Sequence, residues 1–187
     1  MFPYSVLCVG SATVDRFLLV EQPFSRIKPG DKILVKSLHV YSGGGATNAA
    51  AALVKLGVKT KVLTKTGDDD DAEIILKELK KYGVKNICSG RSTKSTDFST
   101  IISSEKENDR IIFVHKGASE NLSLEDVKRS QLNMKWLYLA TLTGKAFDTG
   151  KELAIAAHKS NIHVLFNPSL YLAKKGRKYL DPILRGC

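Results

Sequence analysis

Ser42-Gly43-Gly44-Gly45-Ala46-Thr47-Asn48 is the stretch whose reading decides the fold. It follows a strand-like segment. After it, Ala46 to Gly57 reads as a helix built almost wholly of small residues and stopped by glycine. Glycine lets a backbone approach a ligand or take a dihedral that a Cβ forbids. An alanine-rich helix can press close to a sheet. The polar exceptions, Thr47 and Asn48, fall in the first turn, where side chains and amide hydrogens meet whatever occupies the helix end. Two readings stand at this point: a ligand cradle, or a tight loop and helix cap with no ligand.

Towards the N-terminus, Tyr4 to Val9 reads as a first strand bounded by Gly10-Ser11. A dinucleotide fingerprint fails there, because no GxGxxG follows and no helix opens. Ala12 to Val20 continues as extended chain, with Asp15 as its one acid. A carboxylate in that setting caps, pairs or binds, and it needs partners if buried. Pro23 to Gly30 is a turn region, and Asp31 to Tyr41 is a second extended arm. Two arms between the first core strand and the first helix interrupt a plain βα alternation. They predict a small sheet projecting from the main one.

Towards the C-terminus, Lys59 to Thr66 is a strand, and Gly67 precedes four aspartates, Asp68 to Asp71. Acids in a row suggest a metal site or a helix N-terminus. The helical pattern of Ala72 to Tyr82, ended by Gly83, favours capping and dipole complementarity. Val84 to Cys88 reads as a short strand. Thr96 to Ser103 and Arg110 to His115, joined by a charged turn, form a β-hairpin. With the two earlier arms it makes a four-stranded minor sheet, so segments of about 12–41 and 95–116 interrupt the core. His115 reads as a strand-end polar residue rather than a base, since no acid or nucleophile is placed beside it. From Lys116 the alternation returns: a short helix at Ser123–Arg129 with Ser123 as N-cap and Asp126 three positions on, and a strand at Trp136–Ala140. A helix at Ala146–Ser160, a strand at Ile162–Phe166 and a basic helix at Leu170–Tyr179 follow. The fold class is α/β, a mostly parallel sheet flanked by helices in a single domain over 1–187.

The 187 residues suffice for a sizeable core. Lys plus Arg number 29 against 19 acids, a net charge of +10. The bases are scattered and no aromatic-interleaved basic motif appears, so no nucleic-acid partner is expected. No segment approaches membrane-spanning length, and the N-terminal apolar run is a strand rather than a signal peptide, so no membrane partner is expected. Cys8, Cys88 and Cys187 show neither a CxxC pair nor a His/Cys metal spacing, so no metal ligands are assigned. Cys8 reads as a small buried hydrophobe in a reducing, cytoplasmic setting.

Seven short marks stand in order along the chain: Val9-Gly10-Ser11 with Val14-Asp15, Pro29-Gly30-Asp31-Lys32, Ser42 to Ala50, Leu56-Gly57, Thr66-Gly67-Asp68-Asp69, His115 to Ser119 and Phe166-Asn167-Pro168. In this order and spacing the chain resembles the N-terminal part of a ribokinase-like (PfkB-type) carbohydrate or nucleoside kinase. The resemblance covers essentially the whole chain. It implies a small β-sheet lid over a sugar site. It implies that Asp15 and Asn48 bind substrate hydroxyls, a carboxylate that accepts and an amide that both donates and accepts. It implies that Gly43 and Gly44 bring backbone against substrate and hinge the closing lid. ATP and Mg2+ are the implied cofactors, and a sugar or nucleoside the implied small-molecule partner.

Some relatives carry lysine directly after the paired glycine, where this chain has Gly45. The family's second signature, a D-T-x-G-A-G-D-type stretch bearing the general base, does not occur in the sequence, nor does the NxxE element that arranges magnesium. No catalytic residue is therefore assigned. The expectation is the substrate-binding part of a kinase whose C-terminal part is missing from this chain. It would be inactive alone and completed by a complementing C-terminal half or by a homodimer through the lid. The alternatives are a non-catalytic sugar- or nucleoside-binding protein and a degenerate fragment.

Overall fold

The computed structural model describes residues 5–84, 86–128 and 132–187, with the backbone alone at 86–89. In chain order the strands are β1 (Val6–Val9), β2 (Thr13–Val20), β3 (Val35–Gly43), β4 (Thr60–Thr66), β5 (Asn86–Arg91), β6 (Asp97–Ser104), β7 (Asp109–His115), β8 (Trp136–Leu139) and β9 (His163–Phe166). The α-helices are α1 (Gly45–Lys55), α2 (Asp70–Lys81), α3 (Lys145–Lys159), α4 (Leu170–Ala173) and α5 (Arg177–Leu184).

Five strands form one sheet in the order β5-β4-β1-β8-β9, with every neighbouring pair parallel. A parallel sheet must be covered on both faces, and β1 shows it: all four of its residues are buried. Alternation sends them to opposite layers. Val6 and Cys8 join Val62, Ala46, Ala50, Ile75 and Leu79 beneath α1 and α2. Leu7 and Val9 join Leu137, Leu139, Leu153, Ala154 and Ile183 beneath α3 and α5. Ala46 and Ala50, four apart on one face of α1, are fully buried against the sheet. Burial pushes the Cys8 thiol up to about 12, so it behaves as a core hydrophobe.

The second sheet runs β3-β2-β6-β7, with β2 parallel to β6 and antiparallel to β3, and β6 antiparallel to β7. This is the minor sheet that the interrupted alternation predicts. Its register pairs Asp15 with Tyr41 on one side and with Ser99 on the other. Asp15, Phe17, Tyr41, Ser99, Ile101 and Val114 therefore share one face.

Several boundaries differ from the sequence expectation. The second arm starts at Val35 rather than Asp31 and runs through Gly43, so the first of the three glycines is a strand residue. The strand expected at Val84–Cys88 is shifted to Asn86–Arg91. The described part of the helix expected at Ser123–Arg129 is a 3-10 turn at Leu124–Asp126. Ser123 and Asp126 still form a capping box there, with Ser123 N donating to Asp126 at 2.9 Å, and Asp126 also accepts from Lys65 at 2.8 Å. The single basic helix at Leu170–Tyr179 is two helices, broken at Gly176 with φ 80°, and the second runs on to Leu184 with Pro182 inside it. The expected spans also touch Tyr4, Lys85 and Arg129, which lie outside the described residues. Among the described residues no helix is long and apolar enough to cross a membrane.

Candidate functional site

Strand order fixes where a site can form. From the central β1 the chain moves out to β4 and β5 on one side, then returns to β8 and β9 on the other. The crevice at the carboxyl ends of β1 and β8 is thus the topological switch point, where open α/β sheets bind ligands. Gly10, Ser11 and Ala140 lie there. Ala140 N donates to Val9 O at 2.8 Å, and Gly10 N to Leu63 O at 3.2 Å.

The glycine stretch packs into that crevice. Gly44 is the N-cap of α1 with φ 103°, a conformation open to glycine. A Cβ on it would lie 2.4 Å from Ser11 O and 2.9 Å from Ala12 Cα. Gly43 meets a side chain instead: a Cβ there would lie 2.0 Å from Asp15 Oδ2. The carboxylate of Asp15 therefore sits over the Gly43 backbone at the mouth of α1. Thr47, buried one turn into the helix, ties the turn together. Its hydroxyl donates to Gly44 O at 3.0 Å and also to Gly43 O. Asn48 N donates to Gly44 O at 3.0 Å, while its side chain is exposed. No side chain caps α1, which leaves the positive end of its dipole facing the crevice.

Burial pushes the Asp15 carboxyl above its ordinary value, and the Ser99 hydroxyl and the Lys116 ammonium oppose that rise. Lys116 also lies 3.7 Å from Asp97 Oδ2. Asp97 is fully buried and accepts from the amides of Gly117 and Ser119, each at 3.0 Å. These bonds seat the loop after β7 beside the root of β6. His115 meets the Ser95 hydroxyl at 3.0 Å and stacks on Phe98 at 5.0 Å, consistent with a strand-end polar residue.

Of the sequence-named residues, Asp15, Gly43 and Gly44 come together, and Asn48 lies one helical turn beyond them. Sequence reasoning missed Ser99 and Lys116 as neighbours of Asp15. Only the pairing of β2 with β6 brings Ser99 there, and that register has no local signal. Lys116 does stand within one of the short sequence marks. Among the described residues, no group of three or more His, Cys, Asp and Glu is arranged to hold a metal ion.

Comparison with known proteins gives one family. The profile of the pfkB family carbohydrate kinases matches residues 4–183. A deoxyribokinase from Salmonella typhi is 26% identical over 175 residues, which is 93% of this chain and 56% of the relative. The solved structure of Arabidopsis thaliana ribokinase complexed with ribose and ATP is similar at a TM-score of 0.74 and 21% identity, over 87% of this chain and 53% of that one. That of Anopheles gambiae adenosine kinase in complex with P1,P4-di(adenosine-5) tetraphosphate is similar at a TM-score of 0.80 and 17% identity, over 97% and 64%. The chain spans about half the length of the curated relatives it matches. With the profile matched over nearly its whole length, this chain belongs to the pfkB family of carbohydrate kinases.

Proposed function

We propose that this chain forms the sugar- or nucleoside-binding part of a kinase that transfers the γ-phosphoryl group of ATP to a substrate hydroxyl. The observation that carries the reading is the half-buried carboxylate of Asp15, held over a glycine backbone at the uncapped end of α1. A polyol hydroxyl suits that carboxylate, because it donates a hydrogen bond to an anion already taken from water. Asn48 would add an amide, and Gly43 and Gly44 would admit the ligand to the backbone. The small sheet would serve as the lid, with Phe17, Ile101 and Val114 offering apolar cover on the Asp15 face. When bound, ATP and Mg2+ would supply the phosphoryl group and neutralise its charge. The described residues do not fit a metal site, so no step is assigned through the metal.

A partner completing the fold is part of the same proposal. Among the described residues, no element covers the α1-side face of β8 and β9. Trp136 and Leu165 are exposed there beside a groove of about 640 Å³ that Ala49, Leu53 and Tyr138 also line. A complementing α/β segment, in the same protein or separate from it, suits this face, and the half-length match to relatives supports it. A homodimer through the small sheet is the competing arrangement.

A thermal-shift screen against D-ribose, 2-deoxy-D-ribose, adenosine and inosine, with and without Mg-ATP, tests the reading. A specific binder raises the melting temperature by mass action. A shift with one of these and background ATPase activity is the expected result. The second reading, a binding protein without turnover, predicts the same ligand shift with no phosphorylated product. Phosphorylated product in the presence of a complementing C-terminal half would exclude it.

A further inference from the structure

Besides the apolar packing of Val14 against Ile75 and Leu79, the small sheet is tied to one helix by carboxylates. Asp71 of α2 receives both bonds from the Arg16 guanidinium of β2, at 2.7 and 2.9 Å. Glu78 of α2 accepts from the backbone N–H of Ser42 in β3. Asp69, the N-cap of α2, accepts from Thr96 N at 2.8 Å and Thr96 Oγ1 at 2.6 Å at the root of β6, while also capping Ala72 N at 3.0 Å. Three strands of the sheet are thus held by three acids of one helix or its cap.

The geometry gives these contacts a direction. Asp71 and Glu78 are seven residues apart, two helical turns, so both leave α2 on the same side. The residues they hold stand next to the site residues in sequence. Arg16 follows Asp15, and Ser42 precedes Gly43. Asp15 and Tyr41 form a cross-strand pair, and the held residues flank it on opposite strands. Successive strand residues face opposite ways, so pinning Arg16 beneath the sheet fixes the height of Asp15 above it. β3 is an edge strand, and the outward N–H of Ser42 has no strand partner there. Glu78 supplies the acceptor and holds the amide one residue before Gly43. Both contacts are charge-assisted, Arg16 giving one guanidinium nitrogen to both Asp71 oxygens, and such bonds are shorter and stronger than neutral ones.

We infer that Asp71 and Glu78 are positioning residues, which act through Arg16 and the Ser42 amide to set the Asp15 carboxylate over Gly43. The inference rests on the sugar-site reading for its consequence, but not for its geometry. Exchange of backbone amides in the full chain, read residue by residue by NMR without ligand, tests the geometry. Asp71→Ala and Glu78→Ala should each speed exchange at least tenfold in β2 and β3, including Ser42, and leave β1, β4 and β8 at wild-type rates. Asp71→Glu and Glu78→Gln keep an acceptor and should restore most of the protection. Glu73→Gln, on the same helix but paired to Arg91 of β5 at 3.1 Å, should change neither. Arg16→Gln breaks the Asp71 pair from the other side and replaces Asp71→Ala should that variant not fold. Unchanged exchange in β2 and β3, or equal acceleration in both sheets, overturns the inference. In a parallel titration with D-ribose, the alanine variants should bind at least tenfold more weakly than wild type. If wild type itself binds none of the screened sugars, the sugar reading fails while the exchange result still decides the geometry.

Discussion

The carboxylate of Asp15 and the Cα of Gly43 occupy adjoining space so closely that a single methyl group at Gly43 would sit 2.0 Å from Oδ2. Gly43 is therefore a condition for the position of Asp15, beyond being a permissive turn residue. Gly43→Ala should push the carboxylate aside and weaken binding of the preferred sugar at least tenfold, about 1.4 kcal/mol. Gly57→Ala makes the control. That glycine also has positive φ, 81°, but nothing lies within 4 Å of the added carbon. It should cost about 1–2 kcal/mol of stability and leave the affinity unchanged, as calorimetric titration and thermal melting would show.

Asp15 should trade stability for binding. Burial raises its carboxyl above the ordinary value, with Ser99 and Lys116 only opposing that rise. A raised folded-state value means that the native state holds the proton more tightly than the unfolded chain, so ionised Asp15 opposes folding above that value. Asp15→Asn removes the buried charge and keeps the shape. At neutral pH it should melt a few degrees higher than wild type, an advantage that shrinks as the pH falls through the carboxylate range. Sugar binding should drop by more than tenfold. A variant that melts lower and binds normally would contradict both the burial and the role.

Thr47 holds the glycine turn through its hydroxyl, bonded to the carbonyls of Gly43 and Gly44. Thr47→Val keeps the volume and loses both bonds. It should cost about 1 kcal/mol in denaturant unfolding. Thr47→Ser keeps the hydroxyl and should recover much of the loss, which separates the bond from the packing of the methyl group.

The acid limb of the stability curve should depend on Asp69 and Asp126. Burial works to raise both carboxyls, but hydrogen bonds from Thr96 and Ala72 at Asp69, and the Lys65 ammonium with Ser123 at Asp126, hold both below the ordinary 3.8. A lowered folded-state value contributes stability that is present above the unfolded value and lost as the pH falls through the folded one. Urea midpoints measured downwards from pH 5 should therefore fall steeply at and below about pH 4. Asp69→Asn and Asp126→Asn should each flatten that fall and lower the midpoint at pH 7. An acid limb identical to wild type in both variants would contradict the assignment.

The parts of this fold legible in the sequence are those set by local chemistry. Three glycines and an alanine run announce α1, and Asp69 with the apolar spacing behind it announces α2. The two interruptions of the βα rhythm announce the small sheet. Register was not legible, because the pairing of β2 with β6 joins residues more than 80 positions apart. Ser99 consequently enters the surroundings of Asp15 with no local signal. The helical pattern behind the aspartate run speaks for capping and says nothing of a distant partner. Asp69 does cap α2, but Asp71 pairs with Arg16, 55 residues away, and that partner leaves no trace at helical spacing. Gly176 was legible in principle, since a glycine inside a basic helical stretch marks a break, and its positive φ splits α4 from α5.

The most direct test of the account is an amide-shift titration of the labelled full chain with D-ribose and 2-deoxy-D-ribose. The account predicts saturable shifts at Asp15, Gly43, Gly44 and Asn48, abolished by Asp15→Ala. Saturable shifts confined to another surface, or none with either sugar, would contradict it.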